Sequence, residues 1–408
     1  MIHYLFIFIF PFLMTNFVKC SKALENTIYF IFVIYVIIIV GFRFEMGLDW
    51  GNYIKEFTDR NFIYANQDIW ITFLRNLISG HIYQNRSIEP LYAQSLHLSN
   101  FLFGNIIFFN VLNALLAISC ICFFCFKQKS KWFAITISVS FIIFYGMDII
   151  RQFTSLGFIF LMIYNLSQKN YKYSLIFWFI SICFHISSII FLSLYLYERI
   201  ITFEYKLRIY SFLFLGLVIS FLFFLQIENF LNNISVNNYV KISDFANIYV
   251  GMGDNYNPYF NKGLIFRLIV YTLPLLIFLF LREKFTSSKY FNILNWYLFY
   301  IIFIIFLIII GLHQTIIDRF VVYLVPYQII VYSHFIRTFN FKKIKIFCKL
   351  CISFFYVVFA MNWLFLSEDN FRVYIPYKSV LWEDYYNSQS VICNPLYKCR
   401  LEGIEKYE

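Results

Sequence analysis

The chain has 408 residues, of which 61% are hydrophobic and only 13% charged, with a mean hydropathy of +0.70. A soluble domain of this length could not carry that composition without aggregating, which leaves a polytopic membrane protein. The formal charge of +11 does not point to nucleic acid, because the basic residues fall in short clusters beside apolar runs, the pattern of membrane topology signals.

Apolar runs of about 18 to 22 residues suit a hydrocarbon core roughly 30 Å thick. In chain order they predict spans at 2–18, 28–42, 101–126, 131–147, 153–167, 209–226, 264–281, 291–312, 319–336 and 347–366. The first run lacks a basic leading region and a small-residue cleavage site, so it is expected to be a span rather than a removable signal peptide. The 56 Phe and 33 Tyr read as the filling of lipid-facing positions from an AT-biased genome. Cys120, Cys122 and Cys125 fall inside an apolar run, where packing is the expected role. Cys393 and Cys399 lie in the tail and could pair on an oxidising side.

The clusters Lys19/Lys22, Lys127/Lys129/Lys131, Lys169/Lys172, Arg199/Lys206/Arg208, Arg282/Lys284/Lys289 and Arg337/Lys342/Lys343/Lys345/Lys349 are expected on the cytoplasmic side. Residues 43–100, Asp148 to Gln152, 228–262, His313 to Arg319 and the tail 367–408 would then face outward across the cytoplasmic (inner) membrane. Within 43–100, Trp70, Phe73, Leu74 and Leu77 recur at helical spacing, which predicts a short amphipathic helix at the membrane surface. Residues 169–172 and 199–208 both read as inside, yet a single apolar run, 173–197, separates them. At about 1.5 Å per residue that run cannot cross twice. A re-entrant pair of half-helices is expected, with His185 to Ser188 near the outward apex; one ordinary span beside a misread loop is the alternative. No repeat or low-complexity linker divides residues 1–408, so a single all-α membrane domain of about 10 to 12 transmembrane helices is expected.

The polar residues wedged between these runs form five groups. In the first, Arg43 and Asp49 flank Gly47, with Gly51 and Tyr53 beyond; the glycines allow tight turns that would aim Arg43 and Asp49 into a cleft at the membrane surface. An arginine fork grips a phosphate or diphosphate, and a nearby carboxylate can take a proton from a sugar hydroxyl. The plainer reading is a snorkelling arginine and a helix-capping aspartate. Glu89 precedes Pro90, which fits the first turn of a helix and places Glu89 at its N-terminus, as a general base or simply as an acid favoured by the helix dipole. Arg151 and Gln152 follow Asp148 in a turn so short that the guanidinium sits at the membrane boundary, where an ionisable group is a functional candidate unless Asp148 alone neutralises it. His185 lies in an apolar run as either an interhelical contact or a proton-handling group facing the outer cavity. Arg319, with Tyr323 one turn on, would supply a further cation. Three outward arginines, Arg43, Arg151 and Arg319, suit a diphosphate better than a neutral solute. No P-loop, dinucleotide fingerprint or metalloprotease motif is read, so neither cofactor nor metal is expected.

The order of these groups resembles the EpsG family of exopolysaccharide membrane proteins, relatives of the Wzy O-antigen polymerases. The resemblance rests on Arg43, Gly47, Asp49, Trp50 and Tyr53; on Glu89 to Leu91; on Arg151 and Gln152; on His185 and Ser187; and on Arg319 and Tyr323. Glu45 and Met46 depart from it, standing where the family commonly has an apolar residue. The resemblance implies a GT-C/Wzy-like membrane enzyme. Its activity would be to transfer a glycan from polyprenyl diphosphate to a lipid-linked repeat unit on the outer face, as in capsule or O-antigen assembly. Partners would be the lipid-linked oligosaccharide, membrane lipid and other polysaccharide assembly proteins. Arg151 and Arg319 would bind the diphosphate with help from Arg43, Asp49 or Glu89 would activate the acceptor, and His185 would orient or protonate. A transferase using a polyprenyl-phosphate sugar, or a lipid-linked oligosaccharide flippase, would use the same residues.

Overall fold

The computed structural model describes residues 1–18, 20–47, 49–58, 69–71, 73, 89–200, 262–309, 319–366, 374–375 and 377–381. The expected span 209–226, His313, Asp318, Leu74, Leu77, Cys393 and Cys399 lie outside them. The described residues are helical, without strands and with one isolated β-bridge. Among the described residues, five helices are long and apolar enough to cross a membrane: Lys22–Gly41, Ile106–Phe126, Lys131–Asp148, Arg319–Thr338 and Lys342–Asn362. Shorter apolar helices occupy Ile2–Asn16, Tyr171–Phe184, Val270–Phe280 and Phe291–Ile305. The chain is an all-α polytopic membrane protein.

Contacts group it into two units, Met1–Ile189 with Ile329–Glu408, and Ile190–Gln328. In the first, the helices are α1 (Ile2–Asn16), α2 (Lys22–Gly41), α3 (Trp50–Thr58), α4 (Pro90–Phe103), α5 (Ile106–Phe126), α6 (Lys131–Asp148), α7 (Ile150–Ser167) and α8 (Tyr171–Phe184). The 25-residue helix Lys342–Leu366 completes this unit. Helix α7 packs between α5 and α8, α2 lies on α5, α4 leans on α5 and α8, and α6 joins this group to α1 and Lys342–Leu366. The second unit holds Phe191–Ile200, Lys262–Phe280, Arg282–Phe285 and Phe291–Ile309, with Phe291–Ile309 packed on the two longer of its neighbours.

The polarity of the first unit is reversed relative to a soluble bundle. Phe30, Ile31 and Ile34 of α2 and Phe354 and Val358 near the chain's end are exposed, while Thr136, Ser138, Ser140, Thr154, Ser155 and Ser181 are buried. Lipid gives apolar side chains nothing to escape, so association relies on close packing and on hydrogen bonds between helices, worth on average about 0.6 kcal/mol each. Ser155 and Ser181 meet hydroxyl to hydroxyl at 2.7 Å, and the Thr154 hydroxyl donates to Asn113 Oδ1 at 3.0 Å. Gly157 lets α7 approach α5 closely: a Cβ there would stand 2.9 Å from the Cα of Ala117.

Three expectations meet the structure here. The run 101–126 is not one span, because α4 ends at Gly104, which has φ +57°, and α5 restarts behind Asn105, whose side chain accepts from the Ile107 N–H at 2.8 Å. The run 173–197 is broken, as expected, at His185. Helix α8 stops there with an extended backbone, a 3-10 turn follows over Ile186–Ile190, and helix resumes at Phe191. Around Trp70 and Phe73 the described residues are helical, as expected, and the two side chains join a cluster with Ile182, Cys183, Trp178 and Ile186.

The basic and candidate ends of the first unit separate. Lys131 pairs with Glu25 at 3.5 Å, and Lys349 Nζ donates to the Thr15 carbonyl at 3.2 Å, gathering one end of α1, α2, α6 and Lys342–Leu366. At the other ends of these helices, Tyr4 donates to the Tyr374 carbonyl at 3.2 Å, Tyr377 to that of Ile39 at 2.6 Å, and Tyr53 to that of Asp148 at 3.1 Å. In a cysteine-free background, Leu381→Cys is therefore expected to react with a membrane-impermeant maleimide on intact cells. Lys129→Cys should react only after permeabilisation, and labelling of both under the same condition would contradict the arrangement.

Candidate active site

At the end of the first unit away from the lysine clusters, α3, α4, α7 and the break after α8 bring charged groups together. The chain leaves α2 through Arg43 and turns at Gly47, whose φ of +102° favours glycine. A Cβ there would also stand 2.1 Å from the carbonyl oxygen of Met147, so the turn fits against the end of α6 only without a side chain. Asp49 precedes α3, accepts from Asn52 Nδ2 at 3.1 Å, and offers its carbonyl to the Tyr53 N–H at 3.1 Å. Asp49 thus stands immediately before the start of α3. Gly51 lies in the first turn of α3 rather than in the loop.

Three residues apart on α3, Tyr53 and Glu56 do different work. The Tyr53 hydroxyl donates to the Asp148 carbonyl and accepts from the Ile150 N–H at 3.0 Å, which ties α3 to the junction of α6 and α7. Glu56 receives the Arg151 guanidinium on one carboxylate oxygen and the Tyr92 hydroxyl on the other. Tyr92 also lies beneath Arg151, 4.2 Å from ring centre to guanidinium carbon, a cation–π contact.

Glu89 stands before Pro90 at the start of α4, as expected, yet its side chain does not cap that helix. It reaches Arg151 Nη1 at 3.6 Å, accepts weakly from the Ile186 N–H at 3.5 Å, and lies 4.0 Å from His185 Nδ1. His185 Nδ1 is also 3.1 Å from the Ser187 hydroxyl and 3.2 Å from its N–H. Burial pushes the Glu89 carboxyl above its usual range, with the Arg151 charge opposing that shift. Burial works against the charge on Arg151 too, but Tyr92, Glu56 and Glu89 more than offset it. The result is one guanidinium held between two carboxylates, beside a histidine and a serine. Such a set can hydrogen-bond sugar hydroxyls and accept a proton from one of them.

The structure thus brings together Glu89, Arg151, His185 and Tyr53, with Gln152 buried beside Arg151. Arg43 does not open into a cleft: it is 1% exposed, and Nη1 folds back onto the Val40 carbonyl at 2.7 Å. Arg319 and Tyr323 belong to the second unit, where Tyr323 is fully buried with its ring on Phe191 at 5.3 Å. Glu56 and Tyr92 were not singled out by sequence. The signal available was their spacing: Glu56 follows Tyr53 by three residues and Tyr92 follows Glu89 by three, one helical face in each case. No group of three or more His, Cys, Asp or Glu among the described residues is placed to hold a metal ion.

Fold and site together define a polytopic helical membrane protein with a carboxylate–arginine–histidine cluster gathered at one end of its bundle. Residues 26–379 match the EpsG family, and the chain belongs to that family. Neither a curated protein nor a solved structure matches it.

Two outcomes follow from this geometry. A carboxyl whose pKa is raised by folding favours the folded state below its ordinary value and loses that contribution as pH rises through the folded value. Glu89→Gln should therefore gain thermal stability relative to wild type as pH rises from about 4 to about 8, measured by melting in detergent; parallel curves would refute the shift. Gly47→Ala should cost about 1 to 3 kcal/mol through strain alone and more through its clash with Met147. Gly104→Ala, where a Cβ meets nothing within 4 Å, should melt closer to wild type.

Proposed function

We propose that this chain is a membrane polysaccharide polymerase that joins lipid-linked repeat units outside the cytoplasmic membrane. The EpsG match supports polysaccharide polymerisation as the class of activity. The observation that carries the reaction chemistry is the Glu89 carboxylate, buried and held between Arg151 and His185. In the proposed reaction the acceptor sugar hydroxyl gives its proton to Glu89 as its oxygen bonds to the anomeric carbon of the donor glycan. The bond from that carbon to the diphosphate oxygen breaks, and polyprenyl diphosphate leaves with the electron pair. No nucleotide is consumed, because the donor's own phosphate ester supplies the leaving group. Arg151 keeps Glu89 and Glu56 in place, and His185 with Ser187 orients the acceptor.

A positioned general base contributes about 10²- to 10⁴-fold, so Glu89→Gln should depress polymerisation by a factor in that range. A deletion strain complemented with wild type, Glu89→Gln or Arg151→Ala at matched protein levels provides the measurement. Long surface glycan is expected from wild type alone, with single lipid-linked repeats accumulating on the outer face in the variants. Normal glycan length in the deletion would overturn the polymerase reading, and repeats trapped on the inner face would point to transport instead.

A further inference from the structure

The resemblance gives the diphosphate to Arg151 and Arg319 with Arg43 assisting, but the surroundings of Arg43 and Arg151 point the other way. Arg151 is already engaged, with Glu56 and Glu89 on its guanidinium and Tyr92 beneath it. Two carboxylates facing one cation make that cluster a poor seat for a doubly charged phosphate group, since like charges at close range disfavour it.

Arg43 is in the opposite condition. Its side chain is buried, and only Nη1 has a partner, the Val40 carbonyl. Nε and Nη2 have no hydrogen-bond partner among the described residues. Buried arginine donors are rarely left unpaired, because a charged group taken from water without replacement hydrogen bonds keeps its full desolvation cost. Nε and one Nη are the pair of donors that fork onto phosphate oxygens. Tyr53, Tyr377 and Tyr374 lie within electrostatic range, with one carboxylate, that of Asp148, where Arg151 faces two. Tyr53 is also within range of Arg151, so both arginines have the same tyrosine as a neighbour.

What covers Arg43 is a short strap from the far end of the sequence. Ser379 pairs with Arg43 in an antiparallel bridge, with Phe44 N–H donating to Lys378 and Val380 N–H to Phe42, both at 3.2 Å. The Tyr377 hydroxyl fastens the strap to the Ile39 carbonyl at 2.6 Å, and Lys378 pairs with Glu45 at 3.3 Å. A bridge of two backbone hydrogen bonds is a closure that can open without unfolding a helix.

We propose that Arg43 is the diphosphate-binding cation of this protein, reached when the strap 377–381 lifts, and that Arg151 is a positioning residue for the carboxylates rather than the phosphate ligand. This rests on the polymerase reading for the identity of the anion, and it divides the site into an acidic acceptor side at Arg151 and a phosphate side at Arg43 across Tyr53.

The test is titration of inorganic pyrophosphate into the full-length protein in detergent, with sulfate at matched ionic strength as the control. Wild type should bind pyrophosphate in preference to sulfate. Arg43→Gln should lose at least tenfold in affinity and Arg43→Lys most of that, whereas Glu56→Gln, which frees Arg151, should change it little. If Glu56→Gln instead tightens binding strongly while Arg43→Gln leaves it intact, Arg151 is the phosphate ligand and the proposal falls. Should both Arg43 variants fail to fold, Tyr377→Phe decides: loosening the strap by one hydrogen bond should tighten binding by up to about fivefold, and unchanged or weaker binding overturns the proposal. Absence of preferential pyrophosphate binding to wild type also overturns it. Glycan length in the deletion strain judges polymerisation separately, so the two ideas fail independently.

Discussion

A guanidinium at the edge of an apolar bundle has to be neutralised where it stands, and the arrangement of the first unit's candidate end follows from how Arg151 meets that requirement. Glu56 and Glu89 both pair with the one guanidinium, so the elements that bring them are not free to drift. Glu56 requires α3 to lie beside the start of α7, and Glu89 requires α4 to begin there. The extended backbone at His185 is part of the same constraint. Were α8 to continue, the Ile186 N–H would bond within the helix rather than face Glu89. The break in that apolar run is stabilised by the cluster that it helps to build.

Much of this was legible in the sequence, for physical reasons that can be named. Pro90 marks a helix start because it lacks an N–H, and Glu89 is where that rule puts it. The mismatch between basic clusters and a single apolar run pointed to a break near His185, because charge asymmetry and helix rise are both local quantities. The fate of the Glu89 side chain was not legible. Whether it caps α4 or turns towards Arg151 is decided by a residue sixty positions away. The same holds for Arg43, whose expected cleft is filled by a strap from near the other end of the chain, and for Glu56, whose helical face has meaning only once α7 is beside it. Gly104 shows the converse failure: a local signal, a glycine before Asn105, was outweighed by the continuous hydrophobicity of 101–126.

The interior polarity of the helices supports the same frame from below. Thr154, Ser155 and Ser181 bond across α5, α7 and α8 in the turns that follow Arg151 and precede His185. Contacts of this kind are individually weak in a membrane, yet each fixes the rotation of a helix about its axis. A rotation of α7 by one residue would carry Arg151 about 100° away from its carboxylates. The register of the apolar segments and the geometry of the charged cluster are therefore set by one set of contacts.

Tyr53 is the point at which these constraints meet. Its hydroxyl bonds to the Asp148 carbonyl and the Ile150 N–H, closing the junction where α6 ends and α7 begins, and the turn that carries Arg43 abuts the same junction through Gly47 and Met147. Arg151 stands just past that junction and the turn after Arg43 packs against it, one arginine saturated by carboxylates and the other holding two unmade bonds. For the proposed transfer this asymmetry has a chemical use. The acceptor hydroxyl needs a base that has not been neutralised by the leaving group, and the leaving diphosphate needs a cation that has not been neutralised by the base. A single shared arginine could not meet both requirements, because strengthening its bond to either group weakens its effect on the other. Two arginines with Tyr53 as a common neighbour let the base and the leaving group each be met by its own cation.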